Sequence, residues 1–321
     1  MIKPINFLAA VLAFACTHTV FAQAYPSRNI TLVVPYPAGG GTDVFARLIS
    51  QKMATVLDKP IIVENRAGAS GNIGAEAVAR AVPDGHTLLY TASPIALSRI
   101  TYPKLKFNPE RDLEPVTMTV SIPLLLVVTK SLPAPDMKQF ITLAKNRPNE
   151  ILYSSGGAGS SGHFVMKLFT LSTGTTMTHV PYKGAAPALT ALMTGEAQAA
   201  FLVPPVVESQ LRSGRLRALA ISTSKRSPAY PQLPTVTELG VPGFEALQWH
   251  GLFAPEKTPV NIIDILFKAA SSALQDAEVK KRLNSEGGEV VGSNAATFSA
   301  FYRSELTKWK DVANRANLKF N

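Results

Sequence analysis

Two glycine-rich segments carry the residues best suited to chemistry in this chain of 321 residues. The first is Pro35-Tyr36-Pro37-Ala38-Gly39-Gly40-Gly41-Thr42-Asp43. The second is Ser154-Ser155-Gly156-Gly157-Ala158-Gly159-Ser160-Ser161-Gly162-His163. Each follows an apolar run and precedes a helical pattern. Glycines let a backbone approach a ligand closely, free amides at a helix start attract an anion, and hydroxyls add neutral donors. Thr42 or Asp43 is placed to cap the first helix. An ordinary strand-to-helix turn explains either segment alone. The pair, one in each half of the chain, favours an anion held between them at the carboxyl ends of their strands. Neither segment contains arginine, so the expected grip is neutral donors and helix dipoles.

Other chemistries fit less well. Gly39 and Gly41 are followed by Val44 where a dinucleotide fingerprint needs its third glycine, and no phosphate-loop lysine is present. His86, His163, His179 and His250 show no metal-ligand spacing; His163 is the one that ends a glycine-rich segment. Ala158-Gly159-Ser160-Ser161-Gly162 is a relaxed nucleophile elbow, with Glu245 and His250 following in the order of an α/β-hydrolase. The alternative function is therefore an exported serine hydrolase using Ser160, although alanine replaces the first glycine and no oxyanion motif accompanies it. Lys183, in Pro181-Tyr182-Lys183-Gly184, is either a cation at the mouth of the site or a solvated surface lysine.

The elements that must position these segments alternate between two periods. Residues 30–36 form an apolar run, after which Phe45, Leu48, Ile49, Met53, Val56 and Leu57 recur at helical spacing. A strand at 61–63, an Ala-rich helix at 72–82, and a strand at 87–91 entered through Pro83-Asp84-Gly85 complete a β-α-β-α-β order. That order predicts a parallel sheet covered by helices on both faces. A second set opens near 122, with strands at 122–129, 151–155, 177–182, 197–203 and 215–222. Helices are predicted between them at 136–146, 163–172, 185–194 and 205–213. Beyond a Pro-rich stretch at 228–234 come a strand at 246–253 and helices at 260–275 and 295–316. Two α/β halves of similar size make the cleft between them the expected ligand site.

Composition narrows the class. Met1-Ile2-Lys3, an apolar run at 5–15 and Ala22-Gln23-Ala24 are the parts of a secretory signal. The run is shorter than the roughly 20 apolar residues of a membrane span. Cleavage is expected after Ala24, with Ala22 as the alternative. The single cysteine, Cys16, lies in this leader; acylation there is the lipoprotein alternative, for which Ala13-Phe14-Ala15 is a poor match. Without it the mature chain has no thiol for a disulfide or a metal, which suits a bacterial periplasm. Residues 25–321 suffice for two domains. The net charge of +10, with only Lys3 in the leader, favours anionic partners. Scattered Lys and Arg with sparse aromatic residues argue against nucleic acid.

Read in order, the motifs resemble the Bug family, the substrate-binding receptors of tripartite tricarboxylate transporters. The likeness is carried by the first segment, then Val63-Glu64-Asn65-Arg66-Ala67-Gly68-Ala69-Ser70-Gly71-Asn72-Ile73-Gly74, Pro83-Asp84-Gly85 and Tyr153 to His163. It continues through Pro181-Tyr182-Lys183-Gly184, Leu233-Pro234-Thr235, and Trp249-His250-Gly251-Leu252 with Ala254-Pro255, spanning nearly the whole chain. The resemblance implies a type II periplasmic-binding-protein fold of the α/β class, with two lobes joined by crossing strands near 120–126 and 220–227. Residues 1–24 are then the signal peptide, 25–125 and 224–321 the first lobe, and 126–223 the second. It implies a receptor without catalysis or cofactor that takes a small carboxylate to a two-component integral membrane transporter. A monomer is expected. Ligand contacts carried over by position fall on Tyr36, Ala38, Gly39, Thr42 and Asp43, and across the cleft on Ser155, Gly159, Ser160 and His163. Tyr36 stands where phenylalanine is common, and Gly156 and Gly162 replace bulkier polar residues. Tyr182 and Trp249 are placed to flank an aromatic ring or to serve packing alone. Family ligands include dicarboxylates, tricarboxylates, acidic amino acids and aromatic acids. A receptor that signals to a sensor partner fits the sequence equally.

Overall fold

A computed structural model describes residues 25–320. The expected leader 1–24, with its cleavage position and Cys16, lies outside the described residues. The strands form two sheets, each backed by helices, and this fold places the two glycine-rich segments at strand-to-helix junctions. The first sheet contains β1 (Ile30–Val34), β2 (Ile61–Asn65), β3 (Thr87–Ala92) and β4 (Leu113–Pro123), joined by two strands from late in the chain. The second contains β5 (Leu125–Thr129), β6 (Leu152–Ser155), β7 (Thr178–Pro181), β8 (Ala199–Leu202) and β9 (Leu216–Ile221). β10 (Leu247–Pro255) and β11 (Glu289–Val290) return to the first sheet, giving orders β11-β4-β10-β3-β1-β2 and β7-β6-β8-β5-β9.

The expected parallel sheets are in fact mixed. β1 runs parallel to β2 and β3, and β6 parallel to β7 and β8. β10 is antiparallel to both β3 and β4, and β5 is antiparallel to β8 and β9. Parallel neighbours need a crossover connection, usually a helix. β4 instead enters β5 through Leu124 alone, and the strands on which the chain arrives from the other sheet, β5 and β10, run against their neighbours. The apolar stretch around 122–129 is thus the end of one long strand and the whole of the next. β5 reads Leu-Leu-Val-Val-Thr and is buried on both faces, as an interior strand must be.

On the way back the chain is less direct. β9 ends at Ile221 and β10 starts at Leu247. The intervening segment stays with the second sheet, where Phe244 meets the rings of Phe169 and Phe201 at 6.2 and 6.0 Å. Ser222 ties the two passages together: its hydroxyl donates to the Ala246 carbonyl at 2.5 Å and accepts from the Leu124 amide at 2.9 Å.

Two helices cover one face of the first sheet. Gly41–Leu57 buries Phe45, Ile49 and Met53, and Val260–Gln275 buries Ile263, Leu266 and Ala270 in the same cluster. The short helix Ala277–Ser285, absent from the sequence-based elements, follows at once. Its polar sequence buries only Val279 and Leu283, one turn apart, and Asp276 caps it by accepting from the Glu278 and Val279 amides.

The C-terminal helix Ala295–Arg315 covers the other face and reaches both sheets. Phe298 and Tyr302 surround Trp249, while Trp309 packs edge-on against Phe164 of the second sheet's helix Ser161–Thr173 at 5.9 Å. Glu305, 1% exposed, accepts hydrogen bonds from the indoles of Trp249 and Trp309 at 3.1 and 3.0 Å. Trp249, which on sequence grounds was one candidate to flank an aromatic ligand, is therefore a fully buried core residue.

Candidate functional site

A cleft of about 740 Å³ opens where the two sheets face one another. Tyr36, Ser70, Leu97 and Tyr102 line it from the first sheet's side, and Ala158 to Gly162 with Val203 line it from the second. Three of the sequence-predicted contacts, Tyr36, Gly159 and Ser160, are among the lining residues. Ala38, Gly39, Thr42, Asp43, Ser155, His163, Tyr182 and Lys183 are not.

The second segment builds its end of the cleft from the helix beneath it. Ser160 is the N-cap of Ser161–Thr173, and its hydroxyl accepts from the His163 amide at 3.4 Å. That leaves the hydroxyl proton free to donate outward. Ser161 and Gly162 occupy the first turn, where amides have no intrahelical acceptor. Among the described residues no backbone or side-chain partner takes them, and both residues line the cleft. Gly162 also lies so close to β8 that an added Cβ would sit 2.8 Å from the Phe201 carbonyl oxygen. Only glycine lets the helix start meet the strand end here.

Behind this surface Ser155 and His163 hold the segment in shape. The Ser155 hydroxyl bonds His179 Nε2 at 2.6 Å and receives the Gly157 amide at 3.2 Å. The Gly159 amide donates to His163 Nδ1 at 3.1 Å. The His163 and His179 rings stack at 4.0 Å and 4°, with Tyr153 continuing the stack on His179 at 4.8 Å. Tyr182 packs into the apolar cluster of the second sheet, and Lys183 is exposed.

The first segment is arranged differently from the sequence expectation. Neither Thr42 nor Asp43 caps the helix Gly41–Leu57; Gly40 is the N-cap and no side chain bonds the first turn. The Thr42 hydroxyl instead meets His250 Nε2 on β10 at 3.1 Å. Asp43 turns back, accepting from the Gly39 amide at 2.9 Å, Arg47 Nε at 3.0 Å and Asn65 Nδ2 at 2.9 Å. Burial opposes its ionisation, but these bonds outweigh burial and hold the carboxyl below the usual carboxylate range. Both side chains are taken up within the loop's surroundings, Thr42 by the buried His250 and Asp43 by the Gly39 amide, Arg47 and Asn65. Tyr36 alone of this segment reaches the cleft, with its hydroxyl 3.4 Å from Thr91 Oγ1.

The triad required by the hydrolase alternative is not assembled. Ser160 bonds the His163 amide, His250 is committed to Thr42, and Glu245 accepts from Ser224 at 2.7 Å. Sequence reasoning missed Ser70, Leu97, Tyr102, Val203, Gln248, Lys319 and Phe320, all of which line the cleft. Ser70 lies in a glycine-rich stretch that could have marked it. The others come from strand ends, a 3-10 turn, the end of the short helix Ser98–Thr101 and the last described residues, where no periodic signal exists.

Three imidazoles are held neutral by the fold. Burial, with the neighbouring His179 and Lys167, pushes His163 down to about 3; burial with Lys167 takes His179 to about 4; burial takes His250 to about 3. In the unfolded chain each ring binds a proton near about 6.5. Folded values below unfolded ones mean that unfolding takes up protons. The associated stability is thus fully present above about pH 6.5 and drains away as pH falls toward 4 and then 3. Urea midpoints should fall steadily between about pH 7 and pH 4.5. Ring-proton NMR should find none of the three titrating above about pH 5.5, and a midpoint that stays level would contradict the buried neutral stack.

The fold as a whole is shared with known proteins. A profile described as the tripartite tricarboxylate transporter family receptor matches residues 45–318. Protein BugT of Bordetella pertussis is 37% identical over 302 residues, 94% of this chain and 93% of the relative. Among solved structures, R. palustris Rpa4515 with adipate superposes with a TM-score of 0.78 at 35% identity, covering 92% of this chain and 100% of that one. MatC from Rhodopseudomonas palustris with bound malate gives a TM-score of 0.74 at 34% identity, covering 90% and 99%.

Proposed function

Because the chain belongs to the tripartite tricarboxylate transporter receptor family, we propose that it is a periplasmic receptor that captures a small carboxylate and presents it to a two-component membrane transporter. The observation that carries the carboxylate is the start of helix Ser161–Thr173, where one outward hydroxyl and two unpartnered amides converge on the cleft. A helix N-terminus with free amides favours negative charge by about 0.3–1 kcal/mol when exposed, and by up to about 2 kcal/mol when partly buried. Adipate in one structural relative and malate in another support the same class of ligand.

In this reading Ser160 and the amides of Ser161 and Gly162 grip one carboxylate, with Gly159 and Tyr36 closing around it. Ser155 and His163 shape the loop from behind. Ala38, Gly39, Thr42 and Asp43 order the facing segment, and Tyr182 and Lys183 stay peripheral. The lobes are 25–125 with 224–321, and 126–223, the stretch 224–246 riding on the second lobe. The receptor is a monomer, exported by a cleaved leader, and its lobes close by bending at the crossings.

A thermal-shift panel of dicarboxylates, tricarboxylates, acidic amino acids and aromatic acids tests the proposal. A ligand at about 100 times its dissociation constant adds roughly 2.7 kcal/mol, well within detection. For any acid that shifts the melting temperature, its primary amide should not. Ser160→Ala should weaken binding by about 1–3 kcal/mol, the loss from leaving a buried acceptor without its donor. Equal binding of acid and amide would remove the carboxylate from this site.

A further inference from the structure

We infer that Ser70 and Tyr102, together with Lys319, form a specificity-determining end of the cleft that reads a second acid group on the ligand. The inference rests on the proposed grip at Ser160 to Gly162 and assigns the residues that answer it from outside the second lobe.

Three stretches of chain meet at Gly159. A Cβ built there would lie 2.7 Å from Thr101 Cγ2 and 3.5 Å from Phe320 Cε1. Phe320 is held in place by its ring, which stacks on Phe164 at 5.9 Å and 14° and meets His163 edge-on at 6.3 Å. The chain neighbours of the three, Ser160, Tyr102 and Lys319, all line the cleft. Consecutive residues are only about 3.8 Å apart, so one small ligand can touch all three stretches.

The side chains gathered there suit an acid. Ser70 Oγ and Tyr102 Oη lie 3.1 Å apart, and either can be the donor. The pair consumes one hydroxyl proton and leaves the other for a third group. Gln248 on β10 lines the same space and carries amide protons. Lys319 is exposed, and among the described lining residues it alone is charged. Donors and a cation together favour an ionised carboxylate over a neutral group of the same shape.

The backbone at Ser70 is a separate mark. Ala69 and Ser70 stand at φ 46° and 56°, a left-handed conformation that disfavours every residue but glycine. Strain of this kind persists only where the surroundings enforce it, and it collects at ligand sites. Glycine at position 70 would relieve it, at the cost of the hydroxyl. Ser161 and the uncapped start of helix Ala185–Thr194 also line the cleft, from the same lobe as the grip. Those donors serve either acid, whereas Ser70 and Tyr102 tie the second one to the opposite lobe.

Half-amides separate the two ends. Succinate, malate and adipate, each with its half-amide, should be titrated calorimetrically into the purified protein and its variants. The half-amide keeps one carboxylate for Ser160 and loses the second charge. The best-bound diacid should bind at least about ten-fold more tightly than its half-amide, because charge-assisted hydrogen bonds are the stronger ones. Tyr102→Phe, which keeps the ring, and Lys319→Met should each cut that ratio by at least about three-fold. Ser70→Gly should weaken the diacid while holding or raising the melting temperature, since glycine accepts left-handed backbone. Ser160→Ala should weaken diacid and half-amide alike. A diacid and half-amide that bind equally overturn the inference, as does a ratio that stays fixed in both Tyr102→Phe and Lys319→Met, and either leaves the Ser160 grip standing. Binding of a monoacid from the thermal-shift panel with no binding of any diacid overturns it too. If no acid of either series binds, the receptor reading itself falls.

Discussion

Replacing Glu305 with alanine should lower the unfolding free energy by about 3–5 kcal/mol, the usual loss when one partner of a buried charged network is removed. A single carboxylate oxygen serves two indoles, from Trp249 on β10 and Trp309 on the C-terminal helix. The other oxygen is ion-paired with Lys308, which also donates to the Glu245 carbonyl at 3.1 Å and lies 4.6 Å from the Trp309 ring centroid. Removing the carboxylate strands two buried N–H donors and one half-buried ammonium together. Glu305→Gln keeps an acceptor for the indoles and loses only the charge, so it should fall well short of the alanine loss. Lys308→Met should cost less again, because its ammonium is partly solvated. Denaturant midpoints at constant slope give all three. A Glu305→Ala loss below about 1 kcal/mol would mean that the indoles find other acceptors.

The second large effect should appear in binding. Gly159 sits at φ +82°, and a Cβ built on it would lie 2.7 Å from Thr101 Cγ2. Thr101 ends the short helix Ser98–Thr101 on the first sheet's side, so the contact spans the cleft. Gly159→Ala adds about 1–2 kcal/mol of left-handed backbone strain wherever the lobes are. The steric part acts only while they touch. Ligand affinity should therefore drop by at least about ten-fold, more than 1.4 kcal/mol, while the melting temperature changes modestly. Thr101→Ser deletes Cγ2 but keeps the hydroxyl that donates to the Leu97 carbonyl at 3.0 Å. The double variant should recover most of the lost affinity. Unchanged affinity in the single variant would show that the ligand-bound form does not use this contact.

These two sites differ in how far the sequence reveals them. Gly159 and Ser160 announce themselves, because a run of glycines and hydroxyls between a strand and a helix has few other uses. Helix Val260–Gln275 is equally plain, since its apolar stripe is set by local periodicity. Strand direction is not local. β10 reads as a strand in either orientation, and only the passage of chain between lobes makes it antiparallel to β3 and β4. Thr42 and Asp43 look like ligand groups or caps until Arg47, Asn65 and His250 are brought beside them. The His163–His179 stack joins residues from a helix and a neighbouring strand, and no spacing encodes that the rings lie 4.0 Å apart. Val203 and Phe320 reach the cleft from a strand end and from the last described residues, so the make-up of the cleft appears only once the chain is folded.

Ser222 bears on the kind of movement available to the receptor. Two separate connections between bodies act like a pair of loose straps, permitting twist and slide as well as swing. Here one hydroxyl fastens both connections, at the Leu124 amide and the Ala246 carbonyl, so they meet at a single pin. If the lobes close as proposed, the joint would behave as a door rather than a ball-and-socket, with one angle describing its travel. A membrane partner of the kind proposed above would then be offered a choice between two faces, ajar and shut, and the message it received would be in effect one bit.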